Sequence, residues 1–185
     1  EDEEYYDENA HDKGITPEFS IDEIYEKFKY QNESRIRYLE DFGAKKSWKI
    51  LDMASGYGFF MQMMKSRGYE VEGVEISKDR LAVCYDKMAD AKIYTINLLV
   101  EEVPKELCES YDLVTMFHLL EHITNPVLFL KRLKEFIKTD GYLVLELPNV
   151  DNLMMNASPQ FNDFFYFRDH VAYYTPKLLK RVLEE

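Results

Sequence analysis

A short apolar segment that ends in a glycine-bearing turn constrains the fold of this chain more than any other feature. Residues 48–53 are mostly apolar, and the turn Ala54-Ser55-Gly56-Tyr57-Gly58 follows at once. Residues 59–67 read as a helix, and residues 69–75 read as a second strand. The order strand, turn, helix, strand predicts a βαβ unit, in which a crossover helix joins two parallel strands.

The same alternation continues along the rest of the chain. Ser20 is a predicted N-cap for one or two helices that end near Gly43, and Ser77 is a predicted cap for the helix after the second strand. Further strands are predicted at 92–96, 111–117 and 141–147, and further helices at 78–88, 125–138 and 175–185. The strands are too apolar to have a solvated face, which predicts a parallel sheet with helices on both faces.

Length and charge limit the organisation and the partners. We predict one domain, with an acidic, mobile tail over residues 1–18, an N-terminal helical cap over 19–45 and a core over 46–185. The formal net charge of -12 disfavours a nucleic-acid partner, because phosphate binding needs a basic surface. No apolar run approaches the roughly 20 residues of a membrane span, so no membrane partner is expected.

The cysteines and the first residues predict a cytoplasmic protein. Cys84 and Cys108 have no metal-site spacing, and two thiols make no disulfide framework. The acidic first residues lead into no apolar segment, which does not resemble a secretory signal. We therefore expect both cysteines to be reduced.

The glycine turn also predicts a ligand site. In a parallel α/β sheet, ligands bind beyond the carboxyl ends of the strands, where the strand order reverses. Gly56 and Gly58 would let a ligand approach the main chain, and Glu75 ends the second strand 23 residues after Asp52. A carboxylate at this position can accept hydrogen bonds from both hydroxyls of a ribose, which predicts an adenosine-containing ligand.

A dinucleotide is disfavoured as that ligand. Its fingerprint would place a third glycine at Met61, where the helix packs closely on the strand. Asp52 would also repel the pyrophosphate, whereas a ligand with sulfonium and ammonium groups tolerates an acidic neighbour.

Several segments together resemble class I S-adenosylmethionine-dependent methyltransferases. Residues 50–58 are similar to the first motif of that family, with Ala54 where a glycine is usual, and residues 111–122 resemble the fourth-strand motif that ends in leucine, glutamate and histidine. Residues 125–149 match the following helix and fifth strand, and residues 170–183 resemble a segment near the substrate side. The resemblance implies a Rossmann-like parallel sheet of order 3-2-1-4-5, which the family extends by an antiparallel strand pair.

The resemblance implies S-adenosyl-L-methionine as the cofactor. The glycine turn would hold the methionine moiety, Glu75 would bind the ribose hydroxyls, and Ile76 would pack on the adenine. Asn97, where the family often has aspartate, and Leu98 would meet the adenine edge. The implied cofactor-binding residues are Asp52, Ala54, Ser55, Gly56, Gly58, Glu75, Ile76, Asn97, Leu98, Phe117 and His118.

Histidines are the predicted catalytic residues, because methyl transfer to a hydroxyl requires alignment and the removal of a proton. His118 follows the fourth strand and is either a wall of the active site or the general base. His122 fits a structural role better, and His170 could bind substrate or act as a base from a lid segment. No metal site is expected, because the positions after the fourth strand lack clustered acids.

Other side chains leave alternatives open. Arg35 or Arg37, with Tyr25 and Tyr30, could close over the cofactor carboxylate, or their helix could simply pack and form surface ion pairs. The aromatic residues within 161–167 could line a substrate cavity, or they could belong to a core or a loop.

We expect methyl transfer to a small-molecule acceptor. A hydroxyl of a sugar or glycan precursor is the first choice, because residues 169–175 resemble methyltransferases found with polysaccharide synthesis, and a quinone-type phenol is the second. The alternative is a non-catalytic domain that binds the cofactor for structure or regulation. Aminopropyl transfer would need extra acids near Asn97 and His118, which the sequence lacks.

Two more strands are expected to follow residue 185. Without them the fifth strand would be an apolar edge with unpaired backbone groups. Residues 149–168 are poor candidates for the missing pair. We expect a neighbouring chain, as in a homodimer, or the 150–170 segment to cover this edge if the pair is absent.

Overall fold

The computed structural model describes residues 20–153 and 170–185. Within these residues, the strands are β1 (Lys49–Met53), β2 (Glu70–Val74), β3 (Ile93–Tyr94), β4 (Tyr111–Phe117) and β5 (Ile137–Glu146). The α-helices are α1 (Ile21–Phe42), α2 (Phe59–Ser66), α3 (Lys78–Lys87), α4 (Pro126–Glu135) and α5 (Pro176–Leu183), with 3-10 turns at Lys105–Leu107 and Leu120–His122. The sheet has the order β3-β2-β1-β4-β5, which confirms the predicted order.

The chain divides into two compact units, Glu1–Ile96 and Asn97–Glu185. The predicted limits of tail, cap and core stay predictions. Residues 1–19 and 154–169 are outside the described residues, and the predicted acidic tail and the aromatic residues of 161–167 fall there.

Within the described residues, the first unit starts with the long helix α1. Ser20 forms a capping box with Glu23: the Ser20 hydroxyl accepts from the Glu23 backbone N–H at 3.3 Å, and the Glu23 carboxylate accepts from the Ser20 N–H at 2.7 Å. Gly43 ends α1 in the left-handed backbone region, with φ at 99°, so both predicted helix ends are confirmed. None of the helices in the described ranges combines the length and the apolar character of a membrane span.

The predicted βαβ unit is present in the first unit. β1 and β2 pair in parallel, from Lys49 opposite Glu70 to Met53 opposite Val74. The side chain of Met61 on α2 is fully buried, and a Cβ added at Gly73 of β2 would lie 2.7 Å from its sulfur. A glycine on the strand therefore permits the close helix–strand packing that a dinucleotide fingerprint obtains from a glycine on the helix.

The third strand is shorter than predicted, since β3 contains only Ile93–Tyr94 instead of 92–96. Next to it, the buried carboxylate of Glu72 accepts hydrogen bonds from Lys92 Nζ at 2.8 Å and from the Tyr94 hydroxyl at 3.0 Å. The hydrogen bond to Glu72 holds the pKa of Lys92 well above its usual range. These side-chain bonds join two strands whose backbone pairing is brief.

In the second unit, β4 matches the predicted strand but the segment before β5 was assigned wrongly. The helix predicted over 125–138 ends at Glu135, and β5 begins at Ile137 rather than at position 141. Ile137 pairs with the fully buried Tyr111, and Lys138 forms an ion pair with Asp112 at 2.9 Å. Both partners are distant in sequence, so the helical spacing could not reveal them.

A short parallel bridge follows β5. Asn149 lies opposite Tyr174, and the Val150 N–H donates to the Tyr174 carbonyl at 3.0 Å. Thr175 then caps α5, as its hydroxyl accepts from the Leu178 N–H at 3.1 Å. Residues 147–153 and 170–185 contain no further strand, and the two strands expected beyond residue 185 stay a prediction.

Candidate functional site

The turn after β1 has an unusual backbone. Ala54, Gly56 and Gly58 all have positive φ, at 56°, 58° and 75°. The Ser55 N–H donates to the Val74 carbonyl at 2.9 Å, which ties the turn to the end of β2. Left-handed residues alternate with ordinary ones here, and this is the backbone shape for which glycine is normally selected. Ala54 adopts it at the position where the resemblance would place a glycine.

Gly58 also leaves space for its neighbours. A Cβ on Gly58 would collide with the Cys84 sulfur and lie 2.9 Å from the Met88 methyl carbon. Burial raises the pKa of the Cys84 thiol to about 11, so Cys84 packs as a neutral apolar group. Cys84 and Cys108 are both free thiols, as predicted. The second glycine of the turn is therefore required by packing as well as by backbone conformation.

Glu75 connects the turn to the start of α3. Its side chain is buried, with 4% exposed. One carboxylate oxygen accepts from the Gly56 N–H at 2.7 Å, and the other accepts from the N–H groups of Ile76 and Ser77 at 3.0 and 2.8 Å. A carboxylate offers about four acceptor positions, so three of them are used by the backbone. The structure thus brings Gly56, Glu75 and Ile76 together, as the sequence predicted.

Two other predicted cofactor residues of this unit are buried. Asp52 lies in β1 with 3% of its surface exposed. The Ser55 hydroxyl is buried and has no hydrogen-bond partner among the described residues. A Cβ on Gly73 would lie 2.8 Å from this hydroxyl, so Ser55 is directed at β2.

Helix α1 carries the residues that were predicted either to close over the cofactor carboxylate or to pack and form surface ion pairs. Arg35 donates to the Asn32 side chain at 3.0 Å, and Arg37 donates to the Ser34 hydroxyl at 3.2 Å. Tyr30 is largely exposed. Tyr25 contacts Phe59, the first residue of α2, with ring centroids 5.3 Å apart. The arginines bond within their own helix in this structure, and a role for them toward a cofactor stays a prediction.

In the second unit, Asn97 and Leu98 form a turn. The Asn97 side-chain oxygen accepts from the Leu99 N–H at 3.0 Å, and its backbone carbonyl accepts from the Glu101 N–H at 2.8 Å. Leu98 is buried, and Arg132 donates to its carbonyl at 2.8 Å. The Asn97 oxygen is already bonded to the backbone, and the predicted role of Asn97 toward the adenine stays a prediction.

His118, which directly follows β4, lies between two carboxylates. Its Nε2 is 2.8 Å from Glu146 Oε1, and its Nδ1 is 3.3 Å from Glu121 Oε1. Its backbone is left-handed, with φ at 51°, and its N–H donates to the Glu146 carbonyl at 2.8 Å. Phe117, the residue before it, ends β4 opposite Glu146.

The two carboxylates change the charge state of His118. Burial by itself lowers the pKa of His118, but hydrogen bonds and charge from Glu121 and Glu146 outweigh burial and raise the pKa to about 9. The ring is an imidazolium near neutral pH, in which both nitrogens donate. The side chain remains 44% exposed. Its assignment as a general base stays a prediction.

His122 and His170 meet in the same unit. Their ring centroids are 4.9 Å apart, in an edge-on arrangement. The segment that begins with His170 is held by the Glu121 backbone carbonyl, which accepts from Val171 and Ala172 at 2.9 and 3.1 Å. The structure therefore places two of the three predicted catalytic histidines beside Glu121, although they are 48 residues apart in the chain.

Sequence reasoning missed two carboxylates of this cluster, Glu121 and Glu146. Glu121 is almost completely buried, with 1% exposed, and Glu146 is at the end of an otherwise apolar strand. The available signal was an acid inside an apolar stretch, because a buried carboxylate requires a partner. The sequence could not identify that partner, since His118 reaches both acids only in the folded chain.

A parallel sheet of order 3-2-1-4-5, a left-handed glycine turn after the first strand and a buried carboxylate after the second define the class I methyltransferase fold. The chain matches the family model described as "Methyltransferase domain" over residues 24–185. It belongs to that family.

Individual proteins agree with this assignment. The chain is 29% identical over 121 residues to a ubiquinone biosynthesis O-methyltransferase of Photobacterium profundum, which covers 64% of this chain and 52% of that protein. The chain thus spans about half the length of the curated relatives it matches.

Solved structures share the fold. A SAM-dependent methyltransferase from Archaeoglobus fulgidus has a TM-score of 0.65 at 23% identity, covering 84% of this chain and 66% of that one. A phosphoethanolamine N-methyltransferase of Haemonchus contortus, in complex with S-adenosyl-L-methionine, has a TM-score of 0.66 at 20% identity, covering 84% and 36%. At these identities the likeness establishes the fold alone.

Proposed function

We propose that this methyltransferase domain binds S-adenosyl-L-methionine and transfers its methyl group to a hydroxyl of a small molecule. The observation that carries the proposal is the bond between the Glu75 carboxylate and the Gly56 N–H, at 2.7 Å. A carboxylate held beside a turn that a ligand can approach closely supports the assignment of Glu75 as the acceptor for ribose hydroxyls. The Haemonchus contortus structure, which holds S-adenosyl-L-methionine in the same fold, supports the choice of cofactor.

The charges of the first unit support this ligand over a dinucleotide. Glu75 and Asp52 are both buried at the turn and its preceding strand. Asp52 would repel a pyrophosphate, whereas the sulfonium and ammonium of S-adenosyl-L-methionine would be attracted. Glu75 does not separate the two ligands, because a dinucleotide site also uses an acid at this position to bind a ribose. Binding of the two ribose hydroxyls would use the remaining acceptor position of Glu75 and share one that the backbone now occupies.

Cofactor binding can be tested by calorimetry. We expect the chain to bind S-adenosyl-L-methionine and S-adenosylhomocysteine but not NADH. Glu75→Gln should weaken binding by about 1.5–3 kcal/mol, the scale of a lost charged hydrogen-bond partner. Glu70→Gln is the matched control, because Glu70 is an exposed carboxylate at the start of the strand that Glu75 follows. Equal affinity of wild type and Glu75→Gln would remove the ribose assignment.

The transfer step requires one bond to break and one to form. The acceptor oxygen attacks the methyl carbon, the carbon–sulfur bond breaks, and S-adenosylhomocysteine leaves with the electron pair. The hydroxyl proton must pass to a base or to water. We propose that the cluster of His118, Glu121 and Glu146 handles this proton, with Glu146 as its accessible carboxylate, 36% exposed.

The nature of the acceptor follows from the relatives by analogy. Proteins named ubiquinone biosynthesis O-methyltransferase favour a phenolic hydroxyl. The resemblance of residues 169–175 to methyltransferases of polysaccharide synthesis keeps a sugar hydroxyl as the second candidate. A panel of catechols, phenols and nucleotide sugars, incubated with labelled cofactor, should yield a labelled ether in the phenolic set.

The alternative is a domain that binds the cofactor without catalysis. Both functions would use the same cofactor residues, so only turnover separates them. S-adenosylhomocysteine formation above the acceptor-free rate with any acceptor excludes the non-catalytic alternative. Tight cofactor binding with no turnover over the whole panel would favour it.

A further inference from the structure

Glu121 is a buried carboxylate that is only half bonded. Its side chain is 2% exposed, and Oε1 faces His118 Nδ1 at 3.3 Å. Oε2 is buried and has no hydrogen-bond partner among the described residues. A carboxylate oxygen out of water without a partner is costly, because it has lost its hydration and gained nothing in exchange. A hydrogen-bond donor or a cation bound to Oε2 would remove this cost.

Two imidazoles stand next to this carboxylate. One potential ligand atom from each of Glu121, His122 and His170 can be chosen so that all three atoms lie within 4.8 Å of one another. The backbone contributes to this arrangement, since the Glu121 carbonyl binds the N–H groups of Val171 and Ala172 and so fixes the chain next to His170. The three side chains come from two distant segments that a main-chain clamp holds together.

A fourth polar group is close to the same point. The Tyr174 hydroxyl is buried and has no hydrogen-bond partner among the described residues. Burial raises the pKa of the Tyr174 phenol, and the Glu121 charge raises it further, which places the phenol within electrostatic reach of the carboxylate. The Glu121 Oε2 and the Tyr174 hydroxyl are thus two buried oxygens without partners among the described residues, and the charge of one residue acts on the other.

We propose that Glu121, His122 and His170 bind a divalent transition-metal ion of the Zn2+ type. Two imidazole nitrogens and one carboxylate are a common ligand set for such ions, and three protein ligands leave a position open for water or for an acceptor oxygen. Mg2+ and Ca2+ fit less well, because they prefer oxygen ligands. Ligand atoms of a tetrahedral Zn2+ are about 3.4 Å apart, and the three candidate ligand atoms, all within 4.8 Å of one another, are near that separation.

The cluster has a second interpretation, in which Glu121 only compensates the charge of His118. That pair explains Oε1 but leaves Oε2 without a role. It also gives no reason for two imidazoles to converge on the same carboxylate. The metal site shares Glu121 with the cluster proposed to handle the acceptor proton, but its test is separate from that of methyl transfer, because Zn2+ binding can be measured without cofactor or acceptor.

The test is Zn2+ binding to the whole chain. The protein is stripped with a chelator, titrated with Zn2+ in a calorimeter, and analysed for bound metal by mass spectrometry after gel filtration. We expect about one tightly bound Zn2+ per chain, and a visible d–d spectrum of coordinated Co2+ when Co2+ is used instead. Glu121→Gln and His170→Gln should each weaken Zn2+ binding at least about tenfold.

Glu146→Gln is the matched control, because Glu146 also bonds His118 but is not one of the three ligands. It should keep the stoichiometry of wild type. If Glu121→Gln does not fold, as judged by circular dichroism, His170→Gln carries the test by itself. A wild-type chain that retains no Zn2+, or ligand variants that bind Zn2+ as tightly as Glu146→Gln, would overturn the proposal. A chain that binds Zn2+ but not S-adenosyl-L-methionine would reject the proposed function and leave the metal site standing.

Discussion

In the first unit, the Glu75 carboxylate accepts three backbone N–H groups, from Gly56, Ile76 and Ser77. In the second unit, the Glu121 carboxylate is bonded to one side chain, that of His118, and its other oxygen has no hydrogen-bond partner among the described residues. Main-chain donors cannot turn away, so Glu75 is fixed before any ligand arrives. Glu121 is held by a partly exposed side chain instead. The main chain therefore fixes the orientation of the Glu75 carboxylate, whereas the orientation of the Glu121 carboxylate depends on a side chain.

The largest effect is expected in the turn of the first unit. Gly58→Ala combines a left-handed φ with a collision at Cys84 and Met88, and should lower the free energy of unfolding by about 3 kcal/mol. Gly56→Ala has a similar φ but nothing within 4 Å, and should cost only about 1 kcal/mol. Urea denaturation measures both. Equal losses would mean that backbone strain alone, and not packing, shapes this turn.

The contrast between the two carboxylates is tested next. Glu75→Gln should destabilise the chelator-treated protein by about 2 kcal/mol, because three N–H donors lose a charged acceptor. Glu121→Gln should change stability by less than about 1 kcal/mol, because the substitution removes a buried charge that is only half bonded. Thermal and urea unfolding of the two variants give the comparison. An equal or greater loss in Glu121→Gln would show that Glu121 is at least as well bonded as Glu75, and would contradict the contrast.

A smaller difference is expected between two strand glycines. Gly141→Ala in β5 meets the backbone carbonyls of Tyr111 and Asp112 at 3.0 and 3.1 Å, and should cost about 2 kcal/mol. Gly73→Ala in β2 meets the side chains of Met61 and Ser55, which can move, and should cost about 1 kcal/mol. In urea denaturation, we expect the midpoint of Gly141→Ala to be lower than that of Gly73→Ala. A lower midpoint for Gly73→Ala would contradict the argument that flexible neighbours reduce the cost.

The smallest effect concerns the two left-handed residues that follow central strands. Ala54→Gly should raise the free energy of unfolding by about 0.5 kcal/mol, because relief of the φ strain exceeds the entropy cost of glycine. His118→Gly relieves the same strain but loses both carboxylate contacts, and should not stabilise. Ala82→Gly in the exposed face of α3 is the control and should lose about 1 kcal/mol. If Ala54→Gly and Ala82→Gly lost equal free energy of unfolding, Ala54 would not be strained in its left-handed conformation.

Elements with local signals were predicted well. Ser20, Ser77 and Thr175 cap their helices through hydrogen bonds to residues three positions ahead, so the information is within one turn of sequence. β4 was predicted with its observed limits because it is mostly apolar, with only Asp112 and Thr115 as polar residues. The position of Glu75 beside the glycine turn was predicted because the length of the βαβ unit brings the end of the second strand next to that turn.

Elements that depend on partners distant in the sequence were predicted less well. The early start of β5 depends on the pairing of Ile137 with Tyr111, and the short β3 depends on pairing with β2 at only two positions, Ile93 and Tyr94. His118 was singled out from the sequence, but its state was not, because Glu121 and Glu146 act on it only after β4 and β5 are paired.

The sequence by itself determined the alternation of strands and helices, the glycine turn and the carboxylate of Glu75 beside that turn. Each of these features is encoded within the span of about one βαβ unit. The tertiary structure alone decided which polar groups share a buried environment. Glu121 and His170 are far apart in the chain, and the backbone bonds from residues 171 and 172 to the Glu121 carbonyl bring them together. The charge and ligand properties of such a cluster depend on distances of a few ångströms, because electrostatic and coordination energies fall steeply with separation. Sequence spacing does not specify those distances.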